Sequence, residues 1–188
     1  MPDALDLLKT RFSYKPMDML PDGGPSDADI DTLLTIAARV PDHGKLVPWR
    51  FIVFTGDARQ RAGDALAKVF AAKNPQATPD QLEFERKRLT LVPLVVAVVS
   101  RAAPHVKIPE WEQVLSSGAA AMNLLHAANA LGYVGTWRTD WLAYDRAAMD
   151  ALGLAPHEKI TGLVYIGKPA HKTEGRDRPK LSDIVTRF

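Results

Sequence analysis

The chain has 188 residues, 46% hydrophobic and 24% charged, which suits one α/β or α+β domain able to bury a sizeable core. Lys and Arg total 24 against 22 Asp and Glu, a formal charge of +2 with no basic stripe, so nucleic acid is not an expected partner. There is no cysteine, which excludes disulfides, thiolate metal sites and a cysteine nucleophile and leaves redox work to a cofactor.

Ala4, Leu5, Leu7 and Leu8 predict a short opening helix that ends near Arg11-Phe12-Ser13. Acids at Asp3 and Asp6 stand where a secretory signal would carry positive charge, and a soluble cytoplasmic protein is expected. Ser26-Asp27-Ala28-Asp29 reads as a capping box, and Ile30, Leu33, Leu34 and Ala37 follow at helical spacing, delivering Arg39 to a loop. That loop, Val40-Pro41-Asp42-His43-Gly44-Lys45-Leu46-Val47-Pro48, sets an acid, an imidazole and a cation between two elements, with prolines and Gly44 shaping the backbone. Such a connection can hold a ligand, although Asp42 also suits a simple turn cap.

Residues 49–55 read as a strand, and 57–73 and 79–89 as helices. The apolar run 91–100 reads as a strand buried on both faces; Pro93 and its shortness exclude a membrane span. Residues 110–132 predict a long helix ended by Gly132, in which Ala119, Ala120 and Ala121 would let a second copy of the helix approach closely. A strand over 133–139, a helix over 145–152 and a strand over 160–167 complete the alternation. The charged stretch 170–179 is expected to run over the surface or over a partner subunit before 184–188 docks.

Dinucleotide, P-loop, nucleophile-elbow and zincin motifs are missing, and five scattered histidines make a metal site an unfavoured expectation. Three clusters remain. Arg11 with Ser13 offers a guanidinium fork and a hydroxyl at a helix end, suited to a phosphate monoester, although a helix-end cation and a turn serine would look the same. Trp137-Arg138-Thr139 ends a strand with an aromatic plane, a cation and a hydroxyl, against the plainer reading of a core tryptophan and a surface ion pair. His43 suits a proton donor or a ligand contact. Glu110 and Glu112 face different directions on their helix and more simply favour its amino end.

Taken in order, Arg11-Phe12-Ser13, the Pro41-Asp42-His43-Gly44-Lys45 loop with Pro48-Trp49-Arg50-Phe51, Pro109-x-Trp111-Glu112, Trp137-Arg138-Thr139 and Gly162 to Pro169 resemble the nitroreductase family, in its minimal bacterial form. The resemblance implies an α+β, three-layer fold over residues 1–188, with a mostly antiparallel sheet wrapped by helices. It also implies a homodimer with FMN in two interface clefts. By position, Arg11, Phe12 and Ser13 would hold the phosphate and ribityl region, Trp137, Arg138 and Thr139 would line the same cofactor, and Arg39 and His43 would reach it from the other subunit. The loop departs from the family's usual pattern at Val40, Asp42 and Val47.

The implied activity is electron transfer from NADH or NADPH through FMN to a small oxidised acceptor, such as a nitroaromatic or quinone, in ping-pong order. FMN carries the chemistry, with Arg138, Lys45 and His43 as candidates for charge or proton supply. A flavin storage module and an oxygen-dependent flavin-modifying enzyme are the alternatives.

Overall fold

A computed structural model describes residues 3–188. In chain order the main elements are α1 (Ala4–Thr10), α2 (Asp27–Ala37), β1 (Trp49–Phe54), α3 (Asp57–Lys73), α4 (Pro79–Lys87), β2 (Leu94–Ser100), α5 (Glu110–Ala130), β3 (Val134–Arg138), α6 (Arg146–Ala151), β4 (Lys159–Gly167) and α7 (Leu181–Ile184). The helix starts follow local chemistry. Ser26 Oγ accepts from Asp29 N at 3.1 Å while Asp29 Oδ2 accepts from Ser26 N at 3.2 Å, so aspartate replaces the usual glutamate in a complete capping box. Strand β2 begins at Leu94 rather than at residue 91, because Pro93 has no N–H to give to a ladder.

The sheet is wholly antiparallel, in the order β1-β2-β4-β3. Every residue of β2 is buried, and the reason is three layers. Val95, Ala97 and Val99 pack with Leu163 and Tyr165 against Leu66 of α3 and Ala148 and Met149 of α6. The alternate residues Leu94, Val96 and Val98 pack with Val164 and Ile166 against Leu33 of α2 and Ala120, Leu124 and Ala128 of α5. Helices on both faces therefore turn a period-2 strand into a continuous apolar run.

One irregularity shapes the far edge. Val98 pairs with Gly162 but Val99 pairs with Ile160, so Thr161 bulges out of the β2–β4 ladder. Its hydroxyl lies 2.6 Å from Ser117 Oγ of α5, and its carbonyl accepts from Trp137 Nε1 at 3.1 Å.

Two expectations are corrected. Ala120 and Ala121 are fully buried in their own chain's core, so they do not offer α5 a face for a second copy; the exposed apolar side of α5 is Trp111, Val114 and Leu115. Residues 184–188 do not dock on the rest of their own chain, since Ile184, Val185 and Phe188 are exposed. No helix among the described residues is long and apolar enough to cross a membrane.

Candidate active site

A cavity of about 670 Å³ opens where the chain leaving α1 runs beside β3. Tyr14 N donates to Gly135 O at 3.3 Å, which holds residues 12–14 extended along that edge. In an extended chain, Phe12 and Tyr14 point the same way, and their rings stack with centroids 4.8 Å apart. The cavity is lined by Phe12, Ser13 and Tyr14 on one side and Thr136, Trp137 and Arg138 on the other. Glu174, Arg176 and Arg178 of the charged tail complete it, so the tail lies over this chain's own cavity. Gly175 crosses so close to Phe12 that an added Cβ would sit 3.1 Å from its Cβ and Cγ.

Trp137 stands where it does because Gly162 leaves room. A Cβ at residue 162 would lie 1.9 Å from the indole Nε1, and the bulged Thr161 carbonyl supplies that N–H with an acceptor. Arg138 extends past the end of β3 with Nη2 3.4 Å from Asp140 Oδ2, and its guanidinium lies 6.0 Å from the centre of the Tyr165 ring. Burial pushes the Tyr165 phenol up to about 12. Thr139 is not among the lining residues; Thr136, two residues before Arg138 on the same face of β3, is there in its place.

Arg11 ends α1, and its N–H donates to Leu7 O at 2.9 Å. It lines a neighbouring hollow of about 260 Å³ that shares Phe12 and Tyr14 with the main cavity. Its Nη1 is the one buried side-chain nitrogen or oxygen among the described residues without a hydrogen-bond partner. Burial first, and the Arg178 cation second, hold its guanidinium below the ordinary arginine pKa. Arg178 Nη2 also donates to Arg11 O at 3.5 Å. Two cations thus converge, and no acid among the described residues pairs with either. A helix-end arginine on a surface would meet water, so this burial without a partner fits an anion such as a phosphate. Burial and the same Arg11 charge lower the pKa of His126 on α5.

The loop after α2 lies apart from this cavity. Asp42 caps it, with Oδ1 accepting from Leu46 N at 3.0 Å and Oδ2 from Val47 N at 2.9 Å. Gly44, Lys45 and Val47 all have positive φ, a strained state for a β-branched valine. His43 Nδ1 sits 2.7 Å from Glu112 Oε2 at the start of α5, a pairing that residue spacing does not reveal because 69 positions separate them. Neither Arg39 nor His43 lines the Phe12–Trp137 cavity of its own chain. No group of three or more His, Cys, Asp or Glu side chains placed to hold a metal occurs among the described residues.

Nothing along the chain singles out Arg178, Arg176 or Asp140, and Glu112 reads there only as an acid that favours the amino end of its helix. The first two sit in an unpatterned charged tail, and the others acquire partners only through the fold.

Residues 8–168 match the profile of the nitroreductase family, and the chain belongs to that family. It is 33% identical over 189 residues to an Escherichia coli (strain K12) protein provisionally named NAD(P)H nitroreductase YdjA, covering 99% of this chain and 100% of that one. The fold is similar to that of a nitroreductase-like family protein from Bacillus cereus, with a TM-score of 0.83 at 20% identity over 100% of this chain and 97% of the other. A provisionally named nitroreductase from Desulfovibrio desulfuricans, solved in complex with FMN, aligns with a TM-score of 0.76 at 21% identity over 100% and 98% of the two chains.

Proposed function

We propose that the chain is a single-domain, FMN-dependent oxidoreductase that works as a homodimer and takes its electrons from NADH or NADPH. The observation that carries the reading is the half-buried Arg11 guanidinium beside Arg178, whose Nη1 is buried without a partner in a hollow that adjoins an aromatic-walled cavity. Arg11, Arg178 and the Ser13 hydroxyl would hold the phosphate end, where two cations and a donor match a dianion. Phe12, Trp137 and Arg138 would line the cofactor, with Thr139 just beyond β3. Arg39 of the partner subunit and His43 of the partner subunit would close the cleft. Support for that arrangement comes from the exposed Trp111, Val114 and Leu115 stripe on α5 and the uncovered apolar groups of residues 181–188.

FMN, when bound, would accept a hydride from the nicotinamide and deliver electrons to a small oxidised acceptor in alternating half-reactions. The chain's own contribution is then threefold. Apolar and aromatic walls would keep water from the faces of a bound ring, which would strengthen charge interactions at its edge. Arg138 holds positive charge at the wall, 42% of its side chain exposed, where negative charge would develop. Glu112 Oε2 would accept a hydrogen bond from the His43 Nδ1–H, which would leave the opposite ring nitrogen free toward a ligand.

The test is the visible spectrum of the protein reconstituted with FMN, before and after anaerobic NADH or NADPH. Stoichiometric uptake followed by bleaching is the expected result. Uptake without bleaching by either nicotinamide would favour a storage role, and failure to take up FMN would overturn the reading.

A further inference from the structure

The turn after β3 carries a charge network of which electron transfer as proposed above uses only Arg138. Asp140 has φ +58° and ψ 176°, a combination open to glycine and strained for any other residue. Three contacts hold it there. Its Oδ1 accepts from Trp141 N at 2.9 Å, and its Oδ2 accepts from Arg88 Nη1 and from Arg138 Nη2 at 3.4 Å. Arg88 is itself fixed, with only 7% of its side chain exposed and two hydrogen bonds to Glu85 at 2.7 and 2.6 Å. Trp141 Nε1 donates to the same Glu85 at 3.0 Å.

Both arginines flank the cavity wall. Arg138 lines the cavity directly, while Arg88 lies 5.0 Å over the ring of Phe84, another lining residue. Burial alone would lower the Arg88 pKa, but Glu85 and Asp140 more than offset it. The formal charges of Glu85, Arg88, Arg138 and Asp140 cancel, so removing any one leaves the wall charged. A turn alone would need no carboxylate, since glycine adopts this backbone without strain.

We propose that Asp140 is a positioning residue: its carboxylate, braced by the buried Arg88–Glu85 pair, holds Arg138 against the cavity wall and offsets the charge that Arg138 presents there. The second half of this statement rests on the FMN reading, because bound FMN would sense that charge; the placement of Arg138 does not.

Two variants separate the parts. Asp140→Asn keeps the shape and the acceptor for Trp141 N but removes the charge; Asp140→Gly removes the side chain and the backbone strain together. In the FMN-free protein, 15N relaxation of the Arg138 Nε–H group should show a side chain as ordered as its backbone in the parent and mobile in both variants. Equal order in all three overturns the positioning role, whether or not FMN binds. With FMN added, Arg138→Gln should lower the midpoint potential, and in that background, where Arg138 can no longer be released, adding Asp140→Asn should raise it by about 30 mV, a tenfold gain in affinity for the reduced over the oxidised form of a two-electron couple. An unchanged potential on adding Asp140→Asn to Arg138→Gln overturns the charge-offset half. A thermal midpoint for Asp140→Gly no lower than that of Asp140→Asn supports the strain assignment, and a lower one overturns it. A parent that takes up no FMN overturns the FMN reading, and the relaxation result then decides on Asp140 by itself.

Discussion

At the scale of single residues, two arginines show how differently the same side chain can act. Arg50 is satisfied: its Nε and Nη2 each donate to Glu158 at 2.7 Å, and these bonds hold the Glu158 carboxyl down to about 2 from an ordinary 4.5. A carboxyl whose pKa is lower in the folded state stabilises the fold above its unfolded pKa and loses that contribution as pH falls through the folded value. Glu158→Gln should therefore cost about 2 kcal/mol at pH 7, a figure reduced for solvent screening of the partly exposed Arg50, and progressively less between pH 4.5 and pH 2. Urea unfolding of parent and variant at pH 7 and pH 3 checks the convergence. Arg11 is unsatisfied, and its contribution waits for a ligand. Arg11→Ala should weaken FMN binding roughly 10- to 150-fold, the equivalent of a charge-assisted hydrogen bond of about 1.5–3 kcal/mol. Its FMN-free stability should change little or rise, because a guanidinium nitrogen buried without a partner is a cost. Flavin fluorescence titration and a thermal melt read the two effects separately. Arg11 as a candidate site residue was legible beside Phe12 and Ser13; that one of its nitrogens is buried and bare was not, because burial comes from contacts across the chain.

At the scale of elements, the β2–β4 bulge and the indole it receives form one device. Thr161 leaves the ladder, Gly162 supplies an empty place, and Trp137 fills it from the neighbouring strand. Gly162→Ala should expel the ring and break its bond to the Thr161 carbonyl, at a cost of about 1–3 kcal/mol from overpacking and the lost bond. Red-shifted tryptophan emission together with a lowered melting temperature would bear this out; emission like the parent's would mean that the backbone, rather than the ring, gives way. The elements themselves were largely readable. Capping residues at Ser26, β-formers in 49–54 and the Gly132 stop mark their boundaries through local energetics. The bulge was not readable, since a one-residue shift of register is decided by which neighbour the strand meets.

At the scale of the whole molecule, two groups of uncovered apolar side chains lie on α5 and in the tail. Trp111 and Leu115 are 69% and 53% exposed one turn apart on α5, and Leu181, Ile184, Val185 and Phe188 protrude from the tail. In the proposed homodimer these groups find cover, and a charge on the α5 stripe would be desolvated on assembly. The Trp111→Glu, Leu115→Glu double variant should sediment as the 20.6 kDa chain and lose FMN at concentrations where the parent retains it. A dimer of unchanged stability would place the interface elsewhere.

Composition, helix caps and hydrophobic periodicity are properties of neighbouring residues, so the sequence by itself determined the elements, their order and the family resemblance. The ordered clusters around Arg11, His43 and Trp137 likewise carry the family resemblance and mark the stretches proposed to hold the cofactor. Only the tertiary structure decided that Arg178 meets Arg11, that Glu112 meets His43, that Thr136 rather than Thr139 lines the cavity, and that Asp140 joins Arg88 to Arg138. The longer of these pairings span 52 to 167 residues of chain. Partners so distant are selected by how the layers pack, and no periodicity or spacing along the chain encodes that selection.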